Sequence, residues 1–207
     1  MRVKTDARRQ GIIEKAREAF RDLGYERASM SEIAARVGGS KATLYSYFKS
    51  KEELFVESLR GSAPVIQVFG PLFEPERTMG SLREFRQELE RFGTEYLKLS
   101  LLPDILSMRR NLTALSQQSD IARTCFENGP KQSFKVVAAY LEHAMHKGYL
   151  RKADPWVATL HLLRLIEAEH IEEVMMGIIK EVTPKMIEDA VKRAVDVFWR
   201  GYAIEPP

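Results

Sequence analysis

The stretch SMSEIAARVGGSKATLYSYFKSKEELF, residues 29 to 55, carries the most specific pattern in the chain. Ser29 stands three positions before Glu32, the spacing at which a capping serine and a glutamate satisfy each other's backbone amides. The helix it opens is short and places Ile33, Ala34 and Val37 on its inner side. Gly38 and Gly39 then turn the chain, because glycine reaches positive φ at no steric cost. Ser40 caps a second short helix in which Leu44 and Phe48 lie one turn apart, and Ser50 repeats the capping signal with Glu53 ahead of Leu54, Phe55 and Leu59.

Working outward, Ile12, Ile13, Ala16, Ala19, Phe20 and Leu23 recur at helical spacing from about Ala7 to Leu23, and Gly24 can end that helix. Such short helices are marginal alone, so they must share one small core. That packing leaves the outer side of the second short helix free. In a helix-turn-helix this side enters the major groove, which puts Lys41, Ala42, Tyr45 and Ser46 at or near the DNA. Lys41 and Lys51 both fall in a first helical turn, where the helix dipole disfavours a cation by about 0.3–1 kcal/mol. Contact with a phosphate or a base edge reverses that preference. Charge is distributed accordingly: residues 1–51 carry a balance of +6 and the remainder −3, although the whole chain is only +3. A polyanion is steered to the N-terminal quarter.

Beyond Gly61 the pattern is broken by Pro64, Gly70, Pro71, Pro75 and Gly80, then resumes from Ser81 to about Leu99 with Leu82, Phe85, Leu89, Phe92, Tyr96 and Leu99 on one face. Pro103 and Pro130 can start further helices, with a shorter one near residues 120–128 between them and Gly148 as a stop. Asp154 with Pro155, and Thr183 with Pro184, open the last two, expected over 156–179 and 186–202. The reading is all-α: an N-terminal three-helix helix-turn-helix DNA-binding domain, residues 1–51, and a helical remainder, residues 52–207, with the fourth helix linking them.

With 44% hydrophobic and 29% charged residues, the composition is that of a globular protein. No 18-residue apolar run suggests a membrane span, and the N-terminus lacks a secretory pattern, so a cytoplasmic protein without a membrane partner is expected. Cys125 is the only cysteine, which excludes an internal disulfide and reads as a buried small side chain.

Taken together, Gly24-Tyr25, Ser29, Ile33-Ala34, Gly38, Ser40-Lys41, Thr43-Leu44-Tyr45, Tyr47-Phe48, Lys51 and Leu54-Phe55 resemble the DNA-binding domain of the tetracycline-repressor-like, or TetR, family. The likeness covers about residues 10 to 56; the rest resembles the family's variable effector domain more weakly. It implies a homodimeric repressor that pairs through its last two helices, binds palindromic double-stranded DNA and releases it when a small-molecule effector enters. Residue by residue, it implies that Lys41, Ala42 and Ser46 approach base edges with Tyr45 against a base methyl or the backbone, and that Ser29, Ser40, Thr43, Tyr47 and Lys51 position phosphates. Tyr45 and Tyr47 can alternatively pack on their own domain. The sequence departs from the family where Ala28 replaces a frequent threonine and Gly39 a frequent valine, a less rigid turn. Arg2, Lys4, Arg8 and Arg9 are either a phosphate-reaching arm or a frayed tail.

An apolar or amphipathic effector can be lined by Phe69, Phe73, Phe85, Phe92, Tyr96, Met108 and Phe126, with Arg109 or Arg110 for an acidic group, though aromatics at helical spacing also fill ordinary core. The broad apolar surfaces of the last two helices suggest a dimer interface at Leu163, Ile166, Val174, Val191, Val195 and Phe198. No cofactor, metal or catalytic residue is expected. The competing class is a helical-bundle, metal-dependent oxidoreductase, for which Glu167 and His170 form one Glu-x-x-His, with His143 and His146 nearby on another helix. A second such motif is missing, and Glu84, Glu88 and Glu95 are weak substitutes. A structural DNA-binding protein without an effector is the other alternative.

Overall fold

The computed structural model describes residues 5–60, 80–115 and 119–204. Phe69, Phe73, Arg2 and Lys4 lie outside the described residues. Eleven helices occur among the described residues: α1 (Asp6–Arg27), α2 (Met30–Val37), α3 (Lys41–Tyr47), α4 (Lys51–Arg60), α5 (Leu82–Ser100), α6 (Pro103–Ala114), α7 (Ser119–Asn128), α8 (Pro130–His146), α9 (Pro155–Glu167), α10 (Ile171–Met175) and α11 (Pro184–Tyr202). They form two compact units, one spanning Met1–Ala63 with Pro103–Pro130, the other Pro64–Leu102 with Lys131–Pro207.

In the first unit, α1 buries Ile12, Ile13, Ala16, Ala19 and Phe20. At Gly24 the backbone leaves helical geometry (φ 76°, ψ 163°), and the extra turn to Arg27 swings Tyr25 inward. The rings of Phe20, Tyr25 and Phe55 meet at centroid distances of 4.9 to 5.9 Å. Ile33, Leu44, Phe48 and Leu54, each fully buried, close the core around them. Ser29 Oγ accepts the Glu32 N–H at 3.1 Å, but the Glu32 carboxylate turns to Arg36 Nε at 3.3 Å, so one arm of the expected capping box is made. Gly38 adopts the left-handed conformation (φ 68°), and its N–H and that of Gly39 reach back to the Ala35 and Ala34 carbonyls. α6 packs on α1 and α7 on α4, and Leu115 and Cys125 join the same core. The unit is therefore discontinuous in sequence.

In the second unit α5 packs on α9 and α11. A complete capping box at Ser81 and Glu84 starts α5, which buries Phe85, Leu89, Phe92 and Tyr96. Gly93 allows the close approach, since a Cβ there would lie 2.8 Å from Val191 Cγ1 and 3.2 Å from Ile166 Cδ1. Asp154 and Thr183 cap α9 and α11, each followed by proline, as the local pattern indicates. An isolated antiparallel bridge joins Leu150 to Ala203.

One expectation needs correction. The helix expected over 156–179 stops at Glu167, and a short α10 follows that ends at Met175, ahead of Gly177 (φ 74°). Both Glu167 and His170 turn inward at this break. Of the residues named for a dimer interface, Leu163, Ile166, Val191, Val195 and Phe198 are each at most 1% exposed within the protomer, and Val174 is half-buried.

Candidate nucleic-acid interface

α3 turns one face inward through Leu44, with Phe48 following it into the core, and the other outward. On the outer face the structure brings together Lys41, Ala42, Tyr45 and Ser46, all exposed. Lys41 Nζ lies 5.9 Å from the Tyr45 ring centroid, within cation–π reach, and has no ion pair among the described residues. Ser46 Oγ donates to the Thr43 carbonyl at 2.7 Å, which holds it at the helix surface.

Of the side chains expected at phosphates, Ser29 and Ser40 precede α2 and α3, Thr43 and Tyr47 lie on α3, and Lys51 opens α4. Ser29 and Ser40 are exposed N-caps whose Oγ atoms accept the Glu32 and Thr43 N–H groups, each at 3.1 Å. Accepting through a lone pair leaves a serine hydroxyl its own proton to donate. The Ser40 and Thr43 hydroxyls are 2.9 Å apart, and Tyr47 is half-buried against the core.

Lys51 has an internal attachment that its sequence position does not reveal. Its Nζ donates to the Tyr25 carbonyl at 3.0 Å and lies 4.1 Å from the Tyr25 ring centroid. The Tyr25 hydroxyl in turn donates to Glu52 Oε1 at 2.8 Å. Burial, reinforced by the Glu52 carboxylate, raises the Tyr25 pKa and keeps the phenol protonated. Glu52 is held below the ordinary carboxylate range, first by its own backbone amide, then by Ser50 and the Tyr25 hydroxyl. An ammonium has three protons to donate, so the Tyr25 carbonyl fixes Lys51 without exhausting it.

Three arginines of this unit are neutralised internally. Arg9 pairs with Glu57 at 2.6 Å, and Arg36 with Asp22 at 2.7 Å. Arg21 bridges Asp22 and Asp104 at 3.3 and 3.1 Å. Arg8 is exposed, with its guanidinium 3.3 Å from where a Cβ on Gly39 would stand. Ala28 is wholly buried, so the hydroxyl that the family often carries there would enter core in this chain.

The described members of the effector set fall in both units. Phe85, Phe92 and Tyr96 line the buried face of α5; Met108 is buried and Arg109 half-buried on α6, while Phe126 on α7 is exposed. Phe85 lies among Tyr140, Tyr149 and Trp199, and Phe92 stacks on Tyr96. Two of the carboxylates proposed as metal ligands are engaged otherwise: Glu167 accepts from the Tyr96 hydroxyl at 2.8 Å and pairs with Arg164, and Glu88 accepts from the Tyr140 hydroxyl at 2.6 Å. Among the described residues no cluster of three or more His, Cys, Asp or Glu side chains could hold a metal ion, and no helix is long and apolar enough to cross a membrane.

The sequence reading missed Asn111, which is buried on α6 and bonded to two backbone groups of α1. A signal was present, because Asn111 interrupts the apolar register of Met108, Leu112 and Leu115.

The comparisons with known proteins agree with this architecture. Residues 12–57 match the N-terminal model of the bacterial regulatory proteins of the tetR family, and residues 87–204, more than half of the chain, match the C-terminal domain of AefR-like transcriptional repressors. The HTH-type transcriptional activator FasR of Mycolicibacterium smegmatis is 46% identical over 59 residues, 28% of this chain and 27% of that protein. The HTH-type transcriptional repressor AcnR of Corynebacterium efficiens is 23% identical over 189 residues, 91% of this chain and 89% of that protein. A crystal structure of a TetR-family regulator from Mesorhizobium loti superposes with a TM-score of 0.85 at 22% identity, covering 98% of this chain and all of that one, and so shares the fold. Matched at both ends and along the helical architecture, the chain belongs to the TetR family of transcriptional regulators.

Proposed function

We propose that the protein is a ligand-responsive repressor that binds palindromic double-stranded DNA as a homodimer and is released by a small apolar or amphipathic effector. The observation that carries this reading is the exposed face of α3, where Lys41, Ala42, Tyr45 and Ser46 stand together on a rigid core. Residues 1–51 form the functional DNA-binding part and 52–207 the ligand-binding and dimerisation part, with α4 as the link. Lys41, Ala42, Tyr45 and Ser46 read bases. Ser29, Ser40, Thr43, Tyr47 and Lys51 position phosphates, fixing register rather than sequence choice. Repression is favoured over activation because the C-terminal match is to AefR-like repressors and the AcnR likeness runs through 91% of the chain, against 28% for the activator FasR.

The second copy docks on the outer faces of α9 and α11, where Val157 (40%) and Val197 (55%) are exposed. The effector acts by binding the DNA-incompetent state more tightly, since equal affinity for both states shifts nothing.

Selection of bound fragments from random double-stranded DNA tests the reading. A two-fold symmetric motif is expected; a folded preparation that enriches none returns weight to non-specific DNA binding. On the selected operator, Lys41→Ala is expected to change the ranking of single-base variants by about 1–3 kcal/mol at one position of each half-site. A uniform loss across all variants would remove Lys41 from the base-reading set.

A further inference from the structure

Gly24 leaves α1 with a local problem. With φ 76° and ψ 163° at that residue, the Tyr25 N–H is turned off the helical ladder, in which it would meet the Arg21 carbonyl. Buried backbone amides must find partners, and here the partner comes from another helix. Asn111 of α6, 7% exposed, accepts the Tyr25 N–H with Oδ1 at 3.0 Å and donates from Nδ2 to the Phe20 carbonyl at 3.2 Å. Ser107, one turn earlier on α6, is 3.5 Å from the Arg21 carbonyl. α6 thus supplies side-chain partners to backbone groups on both sides of the break.

The segment beyond the break depends on this support. Tyr25 stacks on Phe20 in the core, its carbonyl receives Lys51, and its hydroxyl meets Glu52. The Ala28 N–H bonds back to the Gly24 carbonyl at 3.1 Å, and Ser29 immediately caps α2. The angle at which α2 and α3 leave α1 is set at this turn.

We propose that Asn111 is a positioning residue for DNA reading: by holding the Gly24 turn from α6, it makes the orientation of α3 answer to the placement of α6. The inference rests on the DNA-binding reading above and adds the residue through which the head is held. The role requires one donor and one acceptor on a short planar group. Aspartate lacks the donor, leucine lacks both, and glutamine carries them one methylene further out.

The test uses the full chain and the operator selected by the unaltered protein, together with derivatives in which one base pair is added or removed between the half-sites. The readout is the ratio of affinities for the original and altered spacing. Asn111→Leu is expected to lower that ratio about two- to tenfold, the change one net hydrogen bond supplies, while leaving base preference within a half-site intact. An unchanged ratio in a folded Asn111→Leu protein overturns the proposal. Amide hydrogen exchange of the unaltered protein gives a second measurement, independent of whether the variant folds: the Tyr25 N–H should be as protected as the central amides of α1, and rapid exchange there overturns the clamp. If the unaltered protein selects no symmetric operator, the regulatory reading fails instead, and Tyr25 protection still reports on the clamp alone.

Discussion

Replacing Lys51 by methionine separates two roles that this side chain can hold together. Methionine keeps the apolar stem and removes the ammonium that donates to the Tyr25 carbonyl and faces its ring. A hydrogen bond from a charged donor contributes about 1.5–3 kcal/mol, and partial exposure of Lys51 reduces that toward about 1 kcal/mol. The ring contact adds about 0.5–1 kcal/mol. Against these, the variant removes a cation from the first turn of α4, a relief of about 0.3–1 kcal/mol. The net expectation is a loss of about 1 kcal/mol, a fall of roughly 2–4 °C in Tm for a chain of this size at fixed protomer concentration.

Binding should respond differently from stability. If the anchored ammonium also meets a phosphate, the slope of log K against log salt becomes less negative by about 0.9 per protomer, twice that for a dimer. Over a fourfold rise in salt the unaltered protein then loses about tenfold more affinity than Lys51→Met. Binding titrations at several salt concentrations, beside thermal unfolding of the same preparations, measure both. A salt slope identical to that of the unaltered protein would refute the phosphate role and leave Lys51 as an internal brace for Tyr25. Unchanged stability would refute the worth assigned to the Tyr25 contacts.

Gly93→Ala gains about 1 kcal/mol of helix propensity but places a methyl 2.8 Å from Val191 Cγ1 in a filled core, an overpacking cost of about 1–3 kcal/mol. Urea unfolding should therefore show net destabilisation, relieved when Val191→Ala is combined with it; additive losses would contradict the steric account. The depressed Glu52 pKa means that its contribution to stability is present above its usual value of 4.5 and lost as pH falls through the lower folded value. The stability difference between the unaltered protein and Glu52→Gln should accordingly shrink below that pH, and a difference that grows on acidification would reverse the assigned sign. Val157→Glu with Val197→Glu, on the exposed faces of α9 and α11, should shift sedimentation toward a monomer; an undisturbed dimer would place the interface elsewhere.

The helical head was legible residue by residue because its signals are local. Ser29, Ser40 and Ser50 each cap the helix that follows, and Gly38 takes the left-handed turn. Alternation of buried and exposed positions also separates Leu44 from Lys41 and Tyr45 without reference to any other part of the chain. The break after Glu167 was not legible. Ile171, Val174 and Ile178 continue the apolar content across it, and neither glycine nor proline stands at positions 168–170 to mark it.

The all-helical class, the capped ends and the outward face of α3 could be read from residue order, because all of them depend on spacing within one or two turns. Tertiary structure alone decided that α6 and α7 pack with the head, that Lys51 is tied to Tyr25, and that Asn111 holds the turn at Gly24. It also decided that Leu163, Ile166, Val191, Val195 and Phe198 fill the protomer's own core. The physical reason is common to these cases: hydrophobic periodicity states that a face must be buried, but the partner that buries it, or that satisfies a backbone group turned away from its helix, is chosen by packing between segments far apart in sequence.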